Sequence, residues 1–193
     1  MTALASIVAI ELCLRLEPES AMRTRLHQIV ARHPVMSSLG DKWRMVSEAT
    51  SILLGNLHLA EKGCWDFFDD DARAKRDFEM WSNGMITREG ARTAPHTRDP
   101  YRGGEPLYMT FTLALLLRQG SPCERQLARQ LHIPEQALWQ RGTFAHVLRS
   151  IAAVSFASVR ADVAYLIPGE EAWGLSARDL NEPKFHYLRP IVG

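Results

Sequence analysis

Apolar and polar residues alternate one by one over residues 6–17, placing Val8, Ile10, Leu12, Leu14 and Leu16 on one side. Glu11, Cys13, Arg15 and Glu17 fall on the other. A period of two over this length predicts a half-buried strand, and Pro18 closes it. The period then becomes helical, with Met22, Leu26, Ile29 and Val30 on one stripe and His33 preceding the terminating Pro34. A longer helix is expected from Asp41, read as its N-cap, with Trp43, Val46, Ile52, Leu53, Leu57 and Ala60 on a broad apolar face. Gly63 is read as its stop. Residues 64–84 read as a further helix or helix pair, ending at Asn83-Gly84. Its aromatics Trp65, Phe67, Phe68, Phe78 and Trp81 suit a core rather than a ligand cage.

Residues 86–106 interrupt the pattern, with three prolines and three glycines in a polar stretch that reads as an ordered loop or linker. This break separates a strand-and-helix region, 1–85, from a C-terminal region, 107–193, and the two are compatible with one compact unit. The run "LYMTFTLALLL" fits a strand by alternation and a buried helix by its leucines, and periodicity alone does not choose between them. A helix is preferred because it completes a three-helix arrangement with the two helices expected C-terminal to it. Ser121-Pro122 starts one of these, and Pro134 is placed in the first turn of the other. Apolar stretches around Pro168-Gly169-Glu170-Glu171 predict a hairpin over 163–176, and the tail is expected to be extended.

Within this region, "ERQLARQLHIPEQALWQ" (124–140) resembles part of a helix-turn-helix. Small Ala128 marks a close helix crossing, and Leu127, Leu131, Ile133 and Leu138 plug the core. His132 stands where the pattern usually has Gly, Arg141 stands at a usually apolar position, and Gly142 weakens the second helix. With the flanking elements the resemblance extends to a winged-helix arrangement over about the last 75 residues. The fold expected is therefore mainly α with a minor β component (α+β), an N-terminal strand plus helices and a C-terminal winged-helix-like module.

Such a module would bind DNA or a protein. Gln136, Gln140 and Arg141 would reach base edges, and Arg125, Arg129 and Arg149 would contact phosphates. Residues 118–150 carry five Arg against two Glu. Against this, Arg stems commonly cover apolar side chains on a solvated face. The whole chain holds 23 Lys and Arg against 22 Asp and Glu, for a net charge of +1. That supplies little of the phosphate attraction on which a dedicated nucleic-acid binder relies.

The loop "HTRDPYRGGEP" offers a second candidate site. His96 suits an acid or base, Arg98 and Arg102 an anion, and Gly103-Gly104 a close backbone approach to phosphate, with Asp99 among them. No phosphate-loop spacing is present, and Asp99-Pro100 and Gly-Gly also make ordinary turns. His58 and Glu61, three apart on one expected helix, lack the second helix that a carboxylate metal site needs. Asp69-Asp70-Asp71 read as a helix cap whose charges pair with later Lys and Arg. Cys13, Cys64 and Cys123 show no zinc or disulfide spacing, so reduced thiols, no metal and no cofactor are expected.

Neither apolar run is long and uncharged enough to span a bilayer, and the N-terminal one lacks the basic start of a signal peptide. These features lead to the expectation of a non-enzymatic cytoplasmic regulator or adaptor that binds DNA or a protein partner through the helix-turn-helix-like element. An enzyme or anion-binding protein using the 96–105 loop is the alternative. A helical subunit of a larger assembly, or a homo-oligomer, is a further one.

Overall fold

The strand expected at the N-terminus is the centre of the molecule. In the computed structural model, which describes residues 4–18, 20–33, 38–83, 105–169 and 174–193, β1 (Ala5–Arg15) is buried on both faces from Ala5 to Leu14. It is flanked by β2 (Ala60–Phe68) and β3 (Tyr108–Arg118). With β4 (Val159–Ile167) and the short β5 (Arg189–Pro190) they form one sheet in the order β4-β3-β1-β2-β5. Every neighbouring pair is antiparallel. Strands from both sides of the 86–106 break thus interleave in a single sheet.

Five α-helices lie among the described residues: α1 (Met22–Arg32), α2 (Leu39–Gly55), α3 (Asp71–Ser82), α4 (Pro122–Gln130) and α5 (Arg141–Ala152). One sheet face presents Val8, Ile10, Leu12 and Leu14 from β1 with Met109, Phe111, Leu113 and Leu115 from β3. It packs against Met22, Leu26 and Ile29 of α1, Ile52 and Leu53 of α2, Leu127 of α4, and Phe144, Val147 and Leu148 of α5. The opposite face is covered by α3 through Ala74 and Trp81 and by the C-terminal segment through Leu175, Leu180, Phe185 and Leu188.

These facts overturn the expectation of a mainly α fold with a winged-helix module. The run at 107–117 is β3, because its two faces meet two different cores. Alternate residues Tyr108, Thr110, Thr112 and Ala114 turn away from the leucines. A strand buried on both faces reads as a continuous apolar run, which is how it mimics a buried helix. Among the described residues the two arms of the hairpin expected at 163–176 pair with β3 and not with each other. Val163 to Ile167 pair with β3, and Leu175 makes only an isolated bridge to Tyr108. The second helix of the expected motif begins at Arg141 instead of Pro134. Between the two lies a single 3-10 turn, Glu135–Ala137.

Other boundaries also differ. The helix placed over 41–63 ends at Gly55. A 3-10 turn, Leu57–Leu59, then leads into β2, so residues 64–68 are strand. Gly63 does not stop a helix. A Cβ there would lie 2.6 Å from the Phe144 ring, so this glycine is what lets α5 press against the sheet. The cap of α2 is Ser38, whose Oγ accepts the Asp41 N–H at 3.0 Å. Asp70 caps α3, and Asp71 pairs with Lys75 at 2.8 Å. Ser121 caps α4 with Pro122 at its first position. The C-terminal tail contains two 3-10 turns before β5. No helix among the described residues is long and apolar enough to cross a membrane.

Candidate functional sites

The helix-turn-helix residues are distributed over several elements. Arg125, Arg129, Gln136, Gln140 and Arg149 are exposed but spread over α4, the 3-10 turn and α5. Arg141, assigned to base contact, is spent inside the fold. Its Nη1 donates to the carbonyls of Leu57 and Ala60 (the latter at 3.0 Å), and its Nε donates to that of Gly193 at 2.8 Å. Of the expected plugs, Leu127 and Leu131 are buried, whereas Ala128, Ile133 and Leu138 are half-buried.

A cleft of about 500 Å³ does open beside Arg125 and Arg129, lined also by Asp69, Gln119, Gly120, Glu124 and Ala128. Glu124 is buried there and accepts from the Ser6 hydroxyl at 3.1 Å and the Gly120 N–H at 3.0 Å. Two acidic residues in the lining offset the two arginines, so a phosphate gains little from this cleft.

The alternative site residues His96, Arg98, Asp99, Arg102, Gly103 and Gly104 lie outside the described residues. His58 and Glu61 sit on a 3-10 turn and a strand, not on one helix face. No group of three potential metal ligands occurs among the described residues. Cys13, Cys64 and Cys123 are free, and burial pushes the Cys13 and Cys64 thiols far up.

A second cleft, of about 250 Å³, is lined by Trp65, Asp66, Phe67, Phe68, Leu138 and Trp139. Successive residues of a strand point to opposite faces, so a cleft touching four in a row runs along the strand's edge. β1 occupies the inner edge of β2 from Ala60 to Phe68. On the outer edge β5 pairs only at Lys62 and Gly63, and beyond them no strand pairs with Cys64–Phe68 among the described residues. The far wall is firmly held. The Trp65 indole N–H donates to the Leu138 carbonyl at 3.0 Å, and the Val192 N–H donates to that of Trp139 at 2.9 Å. Arg73 lies 3.3 Å from the Phe68 ring centroid and shields that end.

The third feature is a row of polar side chains across the α3-covered face. Tyr165, Thr112, Glu11 and Cys64 are register neighbours on β4, β3, β1 and β2. Glu11 is fully buried and accepts from the Tyr187 hydroxyl, which is 3.1 Å from each carboxyl oxygen. Burial pushes its pKa up to about 7, although the hydroxyls of Thr110, Thr112 and Tyr187 favour the ionised form. The Thr110, Thr112 and Tyr165 hydroxyls are buried, and none makes a hydrogen bond of ordinary geometry among the described residues. Asp66, two residues along β2 from Cys64, is pushed up to about 6 by burial and by Asp77. Sequence reasoning placed Glu11 on the solvent side of a half-buried strand. Its burial was not signalled locally, because the elements covering that face come from residues 71–82 and 175–188.

No family model matches the chain, and neither a curated protein nor a solved structure is significantly similar to it.

Proposed function

We propose that the protein is a non-enzymatic adaptor that binds a partner protein by taking an extended segment of it along the outer edge of β2. One observation carries this reading: the cleft follows four consecutive strand residues and is walled by Leu138 and Trp139. Backbone groups of an open edge supply affinity to an added strand, and flanking side-chain pockets supply selectivity. Half-buried Trp65, Phe67 and Trp139 are of the residue types that dominate such interfaces. The partner site is therefore moved from the helix-turn-helix residues to their neighbours Leu138 and Trp139. DNA is the less favoured partner, since Arg141 is tied to three backbone carbonyls and the chain is near neutral. A cytosolic location belongs to the same proposal and rests on the free thiols.

Selection from a displayed random-peptide library tests the reading. Enriched peptides are expected to be extended and to slow amide exchange at residues 64–68. They should lose more than about tenfold in affinity on Phe67→Ala or Trp139→Ala, as hot-spot residues do. Peptides that protect only α4 and α5, or an oligonucleotide that competes for them, would move the site elsewhere.

A further inference from the structure

The fully buried Glu11 carboxyl forms no ion pair among the described residues. A buried carboxylate without a cation is costly, whereas its protonated form is tolerated if its O–H finds an acceptor. The Tyr187 hydroxyl oxygen, 3.1 Å from either carboxyl oxygen, is an acceptor within reach of that O–H. The Thr110 and Thr112 hydroxyls favour the ionised form but stand outside ordinary hydrogen-bond geometry, so they offset only part of the cost of burial. Full burial with no cation alongside among the described residues biases the carboxyl toward the proton. Among the described residues, the one hydrogen bond to Glu11 from outside the sheet comes from Tyr187. That residue belongs to the C-terminal segment that seals this face through Leu175, Leu180, Phe185 and Leu188.

We propose that Glu11 is a proton-operated latch: protonated, it lets the 175–188 segment dock on the sheet, and its ionisation loosens that segment so that water reaches the carboxylate. The other ionisable groups facing it are Cys13 on its own strand, Cys64 and Asp66 on β2, Tyr165 on β4 and Tyr187 on the segment itself. Lys62, Glu61 and Arg189 act on the two thiols from further away, and Asp77 and Arg73 act on Asp66 from α3. Burial keeps both thiols and both phenols protonated through the neutral range, which leaves Glu11 and, to a smaller extent, Asp66 to respond.

The test is amide hydrogen exchange of residues 175–188 in the full chain, corrected for the intrinsic rate, at pH 6 and pH 8. If opening restores an ordinary carboxyl pKa, the opening constant should rise at least about tenfold between these values in the wild type, the share of Glu11 alone. In Glu11→Gln it should change by no more than about twofold, the share left to Asp66. Equal protection at the two pH values, or the same rise in Glu11→Gln, overturns the proposal. If Glu11→Gln does not fold, the wild-type exchange and the carbon-13 shift of the Glu11 carboxyl decide. A tenfold rise with a midpoint above pH 6 supports the latch, and a midpoint below pH 6 overturns it.

Discussion

Asp162 and Glu11 are inward-facing strand carboxylates on opposite faces of the sheet, and the two faces treat them in opposite ways. On the helical face Asp162 of β4 meets His33 at 2.6 Å and Lys42 at 2.5 Å, residues that flank the connection between α1 and α2. Burial raises its pKa, but the hydrogen bonds and charges of His33 and Lys42 outweigh this and hold it below the usual carboxylate range. On the other face Glu11 has hydroxyls and, among the described residues, no cation, so burial wins and its pKa rises to about 7. The partner supplied, more than the depth of burial, decides whether an inward carboxylate is held charged or neutral. The apolar face holds the fold together, and the hydroxyl-lined face makes it sensitive to pH.

Substitutions at the two faces should separate these roles. The largest loss is expected for Leu12→Ala in the helical-face core, about 2–5 kcal/mol by urea unfolding and independent of pH between 5 and 8. Glu11→Gln should act in the opposite direction. At pH 8 it removes the cost of a buried charge, a gain on the order of 3 kcal/mol that shrinks toward pH 5, measured by the same unfolding curves. A uniform loss at both pH values would show that Glu11 serves packing alone. Asp162→Asn should cost about 1.5–3 kcal/mol, the range for hydrogen bonds to charged groups, with the loss appearing above pH 4. The smallest effect is expected for Ser121→Ala, about 1 kcal/mol in thermal unfolding, because it removes only the cap of α4.

The same contrast explains what the sequence conveys and what it hides. The helical face was legible wherever the apolar residues of one element fall on one side, as in β1, α1 and the start of α4 at Ser121-Pro122. It failed where both sides of a strand are buried. In β3 the leucine-rich end made a buried helix fit as well as the alternation, and the polar row Glu11, Cys13 looked like a solvent side. β2 was concealed by a different effect. Good helix formers run on past Gly55 through Leu57 to Ala60, and only tertiary pairing with β1 turns Ala60–Phe68 into strand.

The two clefts obey the same division. Arg125 and Arg129 were legible as an exposed pair, but not the buried Glu124 beside them, which is drawn in by Ser6, 118 residues away. The β2-edge cleft joins Trp65–Phe68 to Leu138–Trp139, and local pattern has no means of bringing these together. Arg141 looked like a ligand-facing residue because its three carbonyl partners belong to Leu57, Ala60 and Gly193.

The opposite treatment of the two carboxylates is tested most directly by the unfolding free energy of the unaltered chain as a function of pH. Asp162, lowered in the folded state, adds stability that is present above its unfolded pKa near 3.8 and is lost only as pH falls through and below that value. Glu11, raised from 4.5 to about 7, makes the folded state bind more protons than the unfolded one across that interval, and Asp66 does the same between 3.8 and about 6. Stability should therefore pass a maximum near pH 4–5 and fall by on the order of 5 kcal/mol by pH 8, about 3 kcal/mol of it from Glu11 and about 2 kcal/mol from Asp66. A curve that stays level or rises from pH 5 to pH 8 would contradict the account of the Glu11 face.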